Sequence, residues 1–430
     1  MALVVGGVAV QGRRKEGAIM LQAKNRNYRL VFSAPTVSNL GDGVSALALP
    51  WLATLLTRDA MLVALVAAAQ RSPWFLLSLP VGVWTDRMDR RMLMVRADVV
   101  RVLLTLMVVA LVLQAPALPL PDGDGLGAIL ALSVLAFLLG CAEVLRDNAA
   151  QTILPSVVDK ADLETPNGQM WSAEKVMGEF IGPPLAGVLI AMGVAVPFGF
   201  DAASFAIAAV LVWLVVLPPR PPQTPAPFKA ALLEGIAWMR ANRVILRLAV
   251  MLGAVNASHM AGLTVLVLYA QEVLRLDAVG TGFLMTAGAV GGVLGGLLAP
   301  RICRRIGLRA SMIFGLVAFC VNYALFVYTG SAVIAGVGLA IGGFGSMVWN
   351  VATVSFRQRV IPDAILGRVN SIYRFFGWGS MPLGALAGGA LVSFVQDDWG
   401  REAALRLPFA VATLGTLLVL AYALARLRLD

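Results

Sequence analysis

Long apolar runs alternate along the chain with short segments that hold nearly all of its charge. A membrane-crossing helix needs about 20 largely apolar residues, and each run is near that length. Arg29 to Arg58 encloses one charge, Asp42, and Ala60 to Thr85 encloses one, Arg71. Residues 102–121 and 125–142 have none, and runs at 180–200 and 202–219 complete a first set of six. The segment "PPRPPQTPAPFK" follows, too rich in proline to be helical. After it, "AALLEGIAWMRANRVILR" is amphipathic and suited to lying on a membrane surface. Further runs occupy 248–271 and 278–300. Residues 310–356 form 47 positions without a charge, too long for one crossing, and break naturally at "YTGSA" to give two. Runs at 375–396 and 407–425 bring the total to twelve, six on either side of the proline-rich link.

The pattern predicts an all-α integral membrane protein with twelve transmembrane helices in two pseudo-symmetric six-helix bundles. Its expected parts are an N-terminal tail (1–28), a first bundle (29–217), a central loop with an amphipathic helix (218–247), a second bundle (248–426) and a short tail (427–430). Composition agrees: 59% of residues are hydrophobic and 13% charged, about half the charge of a soluble domain. A net charge of +10 would suggest nucleic acid in a soluble protein. Here it reads as loops obeying the positive-inside rule. Basic residues crowd alternate links, among them Arg87, Arg90, Arg91 and Arg96, then Arg301, Arg304, Arg305 and Arg309. The opposite loops hold few, such as Arg58, Arg275, Arg401 and Arg406. Both termini are therefore expected in the cytoplasm and the protein in the plasma (inner) membrane. The opening "MALVVGGVAV" precedes its positive charges, the reverse of a secretory signal. It is expected to be a disordered tail, or to lie ahead of a true start at Met20. Cys141, Cys303 and Cys320 form neither a metal pattern nor a disulfide framework.

The halves echo each other. "GVWTDRMDRR" follows the second run of the first half and "GLLAPRICRRIGLR" the second run of the other, with Arg87 and Arg301 each five residues beyond a glycine. "LPSVVDKADLETPNGQ" and "IPDAILGRVNS" also match in order. Duplicated halves with a path between them are a transporter architecture. Gly82, Asp86, Arg87, Arg90 and Arg91 match the G-x-x-x-D-R-x-x-R-R signature, with Asp89 where a glycine is usual. On these residues the chain resembles the major facilitator superfamily over nearly all its length. "NYRLVFSAPTVSNLGDGVSALALPWL" and "AEVLRDNAAQTILPSVV" are similar to the enterobactin-exporter and macrolide-efflux branch. The resemblance implies that Gly82 lets helix 2 approach a neighbour closely. It also implies that Asp86 caps the start of helix 11 and, with the arginines, latches the cytoplasmic side in the outward-open state. Read without it, the three arginines only enforce topology.

Charges inside membrane spans cost about 2.5 to 3.5 kcal/mol each on insertion scales and so usually have a reason. Asp42 and Arg71 reach similar depth in consecutive helices and are expected to pair. Glu143, Arg146 and Asp147 share one side of helix 4 through their spacings of three and four. Helix 5 carries Glu174, Lys175 and Glu179, of which the last two are spaced to satisfy each other. A carboxylate held in low dielectric takes up a proton more easily than one in water, as a proton-coupled carrier requires. Asp42, Glu143 and Glu179 are the candidates. "GEFIGPPLAG" places Gly178, Gly182 and Gly187 for tight packing and Pro183 and Pro184 for a kink. The segment is similar to the antiporter motif of exporters, although Ala186 replaces a glycine of its closing pair.

These features point to a secondary transporter that exports a small hydrophobic organic compound (a drug, a macrolide-like compound or a siderophore) by proton antiport and alternating access. No cofactor or metal is expected; the proton gradient is the energy source, and no nucleotide-binding G-x-x-x-x-G-K-[ST] loop is present. The expected partners are the substrate and membrane lipid, with no nucleic acid, and the expected state is a monomer. A proton-linked importer and a lipid-like translocator remain open as alternatives. An enzyme is not expected, because the chain has one histidine, no H-E-x-x-H and no G-x-S-x-G. A sensor is disfavoured because no soluble domain is appended.

Overall fold

A computed structural model describes residues 25–121, 125–158, 164–217 and 228–429, and every regular element among them is helical. In chain order the long helices are α1 (Arg26–Leu56), α2 (Ala60–Arg87), α3 (Arg90–Gln114), α4 (Leu126–Ile153), α5 (164–192) and α6 (Val196–Trp213). A linking helix, Phe228–Ala241, leads to α7 (Arg243–Glu272). The helical run Ala278–Tyr328 is broken at Gly307, whose φ of +80° and ψ of 164° a residue with a Cβ would adopt only under strain. Its arms are α8 (278–306) and α9 (308–328). The chain ends in α10 (Ala332–Val360), α11 (Asp363–Trp399) and α12 (Arg401–Arg426). Counting Ala278–Tyr328 as one, ten helices among the described residues are long and apolar enough to cross a membrane. The two arms of that run and the 31-residue α1 make the architecture consistent with twelve crossings.

Side chains cap several of these helices. Asn25 Oδ1 accepts from the Tyr28 amide at 3.0 Å. Asp89 Oδ1 accepts from the amides of Arg91 and Met92, so the acid that departs from the signature is the N-cap of α3. Asp277 Oδ1 accepts from the Gly280 amide at 2.7 Å and starts α8.

Packing repeats between the halves. In the first, α2 lies on α4, α1 on α5 and α6, and α3 on α4 and α6. In the second, α8 and α9 lie on α10, α7 on α11 and α12, and α9 on α12. The halves meet where α2 crosses α11 and α5 crosses α8, and the same relation exchanges these two contacts. Glycines make the close approaches. A Cβ on Gly282 of α8 would stand 2.9 Å from the Pro183 carbonyl carbon, and one on Gly187 of α5 would stand 2.7 Å from Val279 Cα. Where α2 meets α11, Trp74 lies against Trp378 with centroids 4.3 Å apart, and Phe75 against Phe375 at 4.8 Å. Outward faces are apolar, as with Leu103, Leu106, Met107, Leu130 and Val134, a surface suited to lipid.

Several boundaries differ from the sequence pattern. Helix α3 begins at Arg90, so Asp98 and Arg101 are inside it rather than ahead of a span starting at 102. Helix α5 runs 164–192 and α6 Val196–Trp213, in place of runs at 180–200 and 202–219. The turn between them is apolar and hinges on Gly193 (φ +156°), so no polar residue marks it. The linking helix, expected to lie on the membrane surface, packs on protein. It docks on the start of α11, with Gly235 against Ile372 and Arg368, an ion pair between Glu234 and Arg368, and Met239 buried.

Candidate functional site

The first half is built around buried charge. Helix α1 supplies Ser38, Asp42 and Ser45, α3 supplies Asp98 and Arg101, α4 supplies Glu143, Arg146 and Asp147, and α6 supplies Asp201 and Ser204. Asp98, Arg101, Arg146 and Asp201 are each 2% exposed or less. Arg101 is the hub. It forms an ion pair with Asp42, lies 3.4 Å from Asp98 Oδ1, and donates to Ser38 Oγ at 3.1 Å. Its guanidinium also lies 3.6 Å from the ring centroid of Phe205 in α6, a cation–π contact out of water. Arg146 Nε stands 3.5 Å from Asp98 Oδ1, and its Nη1 donates to Asp147 Oδ1 at 3.4 Å. The chain Asp42–Arg101–Asp98–Arg146–Asp147 thus alternates in sign across three helices, which is how charge is tolerated away from water.

A cavity of about 220 Å³ opens beside this chain, between α1, α2 and α4 on one side and α7 and α8 on the other. Asp42, Ser45, Gln70, Arg71 and Glu143 make its polar wall. Met260, Leu263, Leu266, Val267 and Met285 make the apolar wall of the second half, relieved by the Thr264 hydroxyl. Concave, mostly apolar sites with a few converging polar groups are the usual form of a small-molecule site.

At the end of the bundle opposite the termini, polar contacts tie the halves together. Arg58 Nη1 donates to Gln271 Oε1 at 2.8 Å, and Gln271 Nε2 donates to Thr54 Oγ1 at 3.0 Å. Arg401 Nη2 donates to the Arg58 carbonyl at 2.7 Å while Nε and Nη2 hold Glu272 at 2.9 and 3.1 Å. The Ser393 hydroxyl donates to Asp59 Oδ1 at 3.1 Å.

Residues 22–428 match the protein family described as transmembrane secretion effector. The chain belongs to this family. It is a transporter family of the major facilitator type, and the chain is a multi-pass membrane transporter rather than an enzyme. The chain is 25% identical over 397 residues to the enterobactin exporter EntS of Shigella boydii serotype 4, covering 91% of each. Its fold matches a crystal structure of a mutant of the nucleoside transporter NupG with a TM-score of 0.75, at 13% identity, covering 93% of this chain and 100% of that one. It also matches a bacterial homologue of the iron transporter ferroportin in an inward-facing state, with a TM-score of 0.72 at 18% identity, covering 93% and 98%.

Against this transporter fold the sequence expectations divide. Asp42, Arg71 and Glu143 do meet at the cavity. Asp42 pairs with Arg101, however, and not with Arg71. The expected pairing assumed that consecutive helices pack together, whereas α1 lies mainly on α5 and α6. Glu179 pairs with Lys175 on an exposed face, its side chain 54% accessible, and Glu174 is exposed nearby, so neither lines the cavity. Gly178, Gly182, Pro183, Pro184 and Gly187 form a crossing point. A Cβ on Gly182 would stand 2.5 Å from Gly43 Cα of α1, while Pro183 and Gly187 face α8. Just ahead of the prolines expected to kink the helix, α5 has a seven-residue π-helical stretch, Lys175–Ile181. Pro183 and Pro184 have no N–H to offer the carbonyls of the preceding turn, and the wider turn accommodates the loss. Gly82, Asp86 and Arg87 stand in the last turns of α2, and the latch contacts expected of them fall outside what is described. Arg91 Nη1 donates to the Val215 carbonyl at 2.9 Å, tying the start of α3 to the end of α6, and Arg90 is half-buried.

Sequence reasoning missed Asp98, Arg101 and Asp201. All three sit at the edges of the apolar runs, just outside the stretches read as uncharged. The i,i+3 spacing of Asp98 and Arg101 within "RADVVRV" was the available signal. In the second half His259 lies 3.3 Å from the Tyr323 hydroxyl and Asn256 donates to the Gly377 carbonyl at 2.9 Å, both internal hydrogen bonds.

Proposed function

We propose that this chain exports a small hydrophobic organic compound across the plasma (inner) membrane by proton antiport and alternating access. Both termini are cytoplasmic in this reading, and the monomer is the working unit. The observation that carries it is Glu143. It faces the cavity between the halves, yet among the described residues no cation stands within ion-pair distance of it, while the neighbouring Asp42 is held by Arg101. A carboxylate so placed can bind a proton or give way to substrate, and competition at one site is what antiport requires. The apolar wall from α7 and α8 suits a hydrophobic compound. The cavity is below the roughly 300–1,000 Å³ usual for ligand sites, so in this state it takes a compact compound or one part of a larger one. Secretion in the family description and export in the name of the EntS relative support the outward direction. With cytoplasmic termini, the ties around Gln271 and Arg401 close the outer end, as in an inward-facing state.

The test follows accumulation of lipophilic dyes and antibiotics in pump-deficient cells, with and without an uncoupler, beside Glu143→Gln. Lower accumulation that both the uncoupler and the substitution abolish is the expected result. Raised accumulation would reverse the direction, and efflux that ignores the uncoupler would remove the proton.

A further inference from the structure

Asp201 is the one carboxylate of the buried set that is wholly enclosed and has no cation within ion-pair distance among the described residues. It is 2% exposed. Its hydrogen bonds come from hydroxyls: Ser45 Oγ donates to Oδ2, and Ser204 Oγ lies 3.5 Å from Oδ1 while bonding the Asp201 carbonyl at 2.8 Å. Two hydroxyls compensate a buried negative charge far less than a guanidinium does. The charged groups that face it are Asp42 of α1 and Arg101 of α3, and Arg101 is already committed to Asp42 and Asp98. The stretch of α5 that packs on α6, Gly182–Met192, has no titratable side chain. The balance of the whole set agrees. Asp42, Asp98, Glu143, Asp147 and Asp201 are five carboxylates against three guanidiniums, those of Arg71, Arg101 and Arg146. Among the described residues, the two of these five carboxylates without an ion-pair partner are Glu143 and Asp201.

Ser45 connects Asp201 to the cavity. Its residue lines the cavity beside Asp42, and its hydroxyl is the group that bonds Asp201 Oδ2.

We infer that Asp201 is a second proton-binding site of the transporter, loaded from the cavity through the hydroxyl of Ser45. The inference rests on the proton-antiport reading above. In the loading step Ser45 passes its hydroxyl proton to Asp201 Oδ2 as its oxygen accepts a proton from hydronium in the cavity. The hydroxyl is regenerated and one proton has moved inward. Unloading is the reverse. The position also explains how the charge state reaches the fold. A Cβ on Gly41 would run into Asp201 Oδ1 and Ser204 Oγ, so α1 lies directly on this carboxylate. Protonating Asp201 removes a negative charge that faces Asp42 and Arg101 and gives the carboxyl a donor where it meets α1.

The experiment is an infrared pH titration of the full-length protein in liposomes, comparing wild type with Asp201→Asn, Glu143→Gln and Ser45→Ala. Subtracting the Asp201→Asn spectrum from wild type should leave one carboxylic-acid C=O band that loses intensity as pH rises. Glu143→Gln should keep that band. Ser45→Ala should keep it at a shifted frequency, because one hydrogen bond is gone, and this variant serves if Asp201→Asn fails to fold. No difference band, or one of equal intensity at every pH, overturns the inference, the second outcome making Asp201 a fixed hydrogen-bond donor. Uncoupler-sensitive efflux in wild type with no titrating Asp201 band defeats this site alone, whereas uncoupler-insensitive efflux defeats proton antiport itself.

Discussion

Gln271 should decide how firmly the end opposite the termini stays closed. Its side chain, on α7 of the second half, accepts from Arg58 at 2.8 Å and donates to Thr54 at 3.0 Å, both in the first half. Gln271→Ala deletes both bonds and touches nothing in the buried charge chain. A hydrogen bond contributes about 0.5 to 1.5 kcal/mol net. The Arg58 side chain is 44% exposed, so its share belongs at the low end. The pair is therefore worth about 1 to 2 kcal/mol, which moves the open population at that end by roughly 5- to 30-fold. The assay places a single cysteine at Val267, one turn before Gln271, buried and facing the cavity. Cys141, Cys303 and Cys320 are replaced by serine, and a membrane-impermeant maleimide is added from the side opposite the termini. The labelling rate should rise by that factor in Gln271→Ala. An unchanged rate would show that the helix packing and the remaining ties through Arg401 and Ser393 hold the end shut without Gln271, and would refute the assignment.

Gly182→Ala should lower the thermal midpoint, because its Cβ would stand 2.5 Å from Gly43 Cα and the helices must part, at a cost of about 1 to 3 kcal/mol. Gly127→Ala, with nothing within 4 Å, is the control in the same fluorescence-detected size-exclusion melt. Arg101→Ala removes the partner of Asp42 and one of the two cations beside Asp98 and should cost about 3 to 5 kcal/mol, read as loss of the monodisperse peak. Glu234→Gln breaks an ion pair whose side chains are 55% and 38% exposed, so its melt should match wild type to within about 1 kcal/mol.

Much of the fold was legible because a bilayer turns hydropathy into length. The "YTGSA" break separates α9 from α10 where expected, with α9 ending at Tyr328 and α10 starting at Ala332. The same reasoning blurred at the edges. A span read as an uncharged run must begin after its last charge, so Asp98 and Arg101 fell outside α3, and Asp201, inside α6, fell into the gap between the runs at 180–200 and 202–219. Those charges are affordable in the membrane because they pair across helices, a fact of tertiary contact that no one-dimensional window holds. Arg101 reaches Asp42 only because α1 and α3 both lie against α6. The turn at Gly193 was invisible for a different reason: a glycine flanked by apolar residues turns the chain without any polar mark.

The π-helical stretch Lys175–Ile181 carries a consequence for α5 as a moving part. Each residue of an α-helix turns the rod by about 100°, and a π stretch takes up chain that a regular helix would have used for rotation. The half of α5 bearing Trp171, Glu174 and Lys175 is therefore aimed independently of the half bearing Gly182 and Gly187. Passing that surplus along the rod would swivel the leading half while the glycines keep their seats on α1 and α8. In mechanical terms, α5 is a shaft with a slip joint set directly before its bearing.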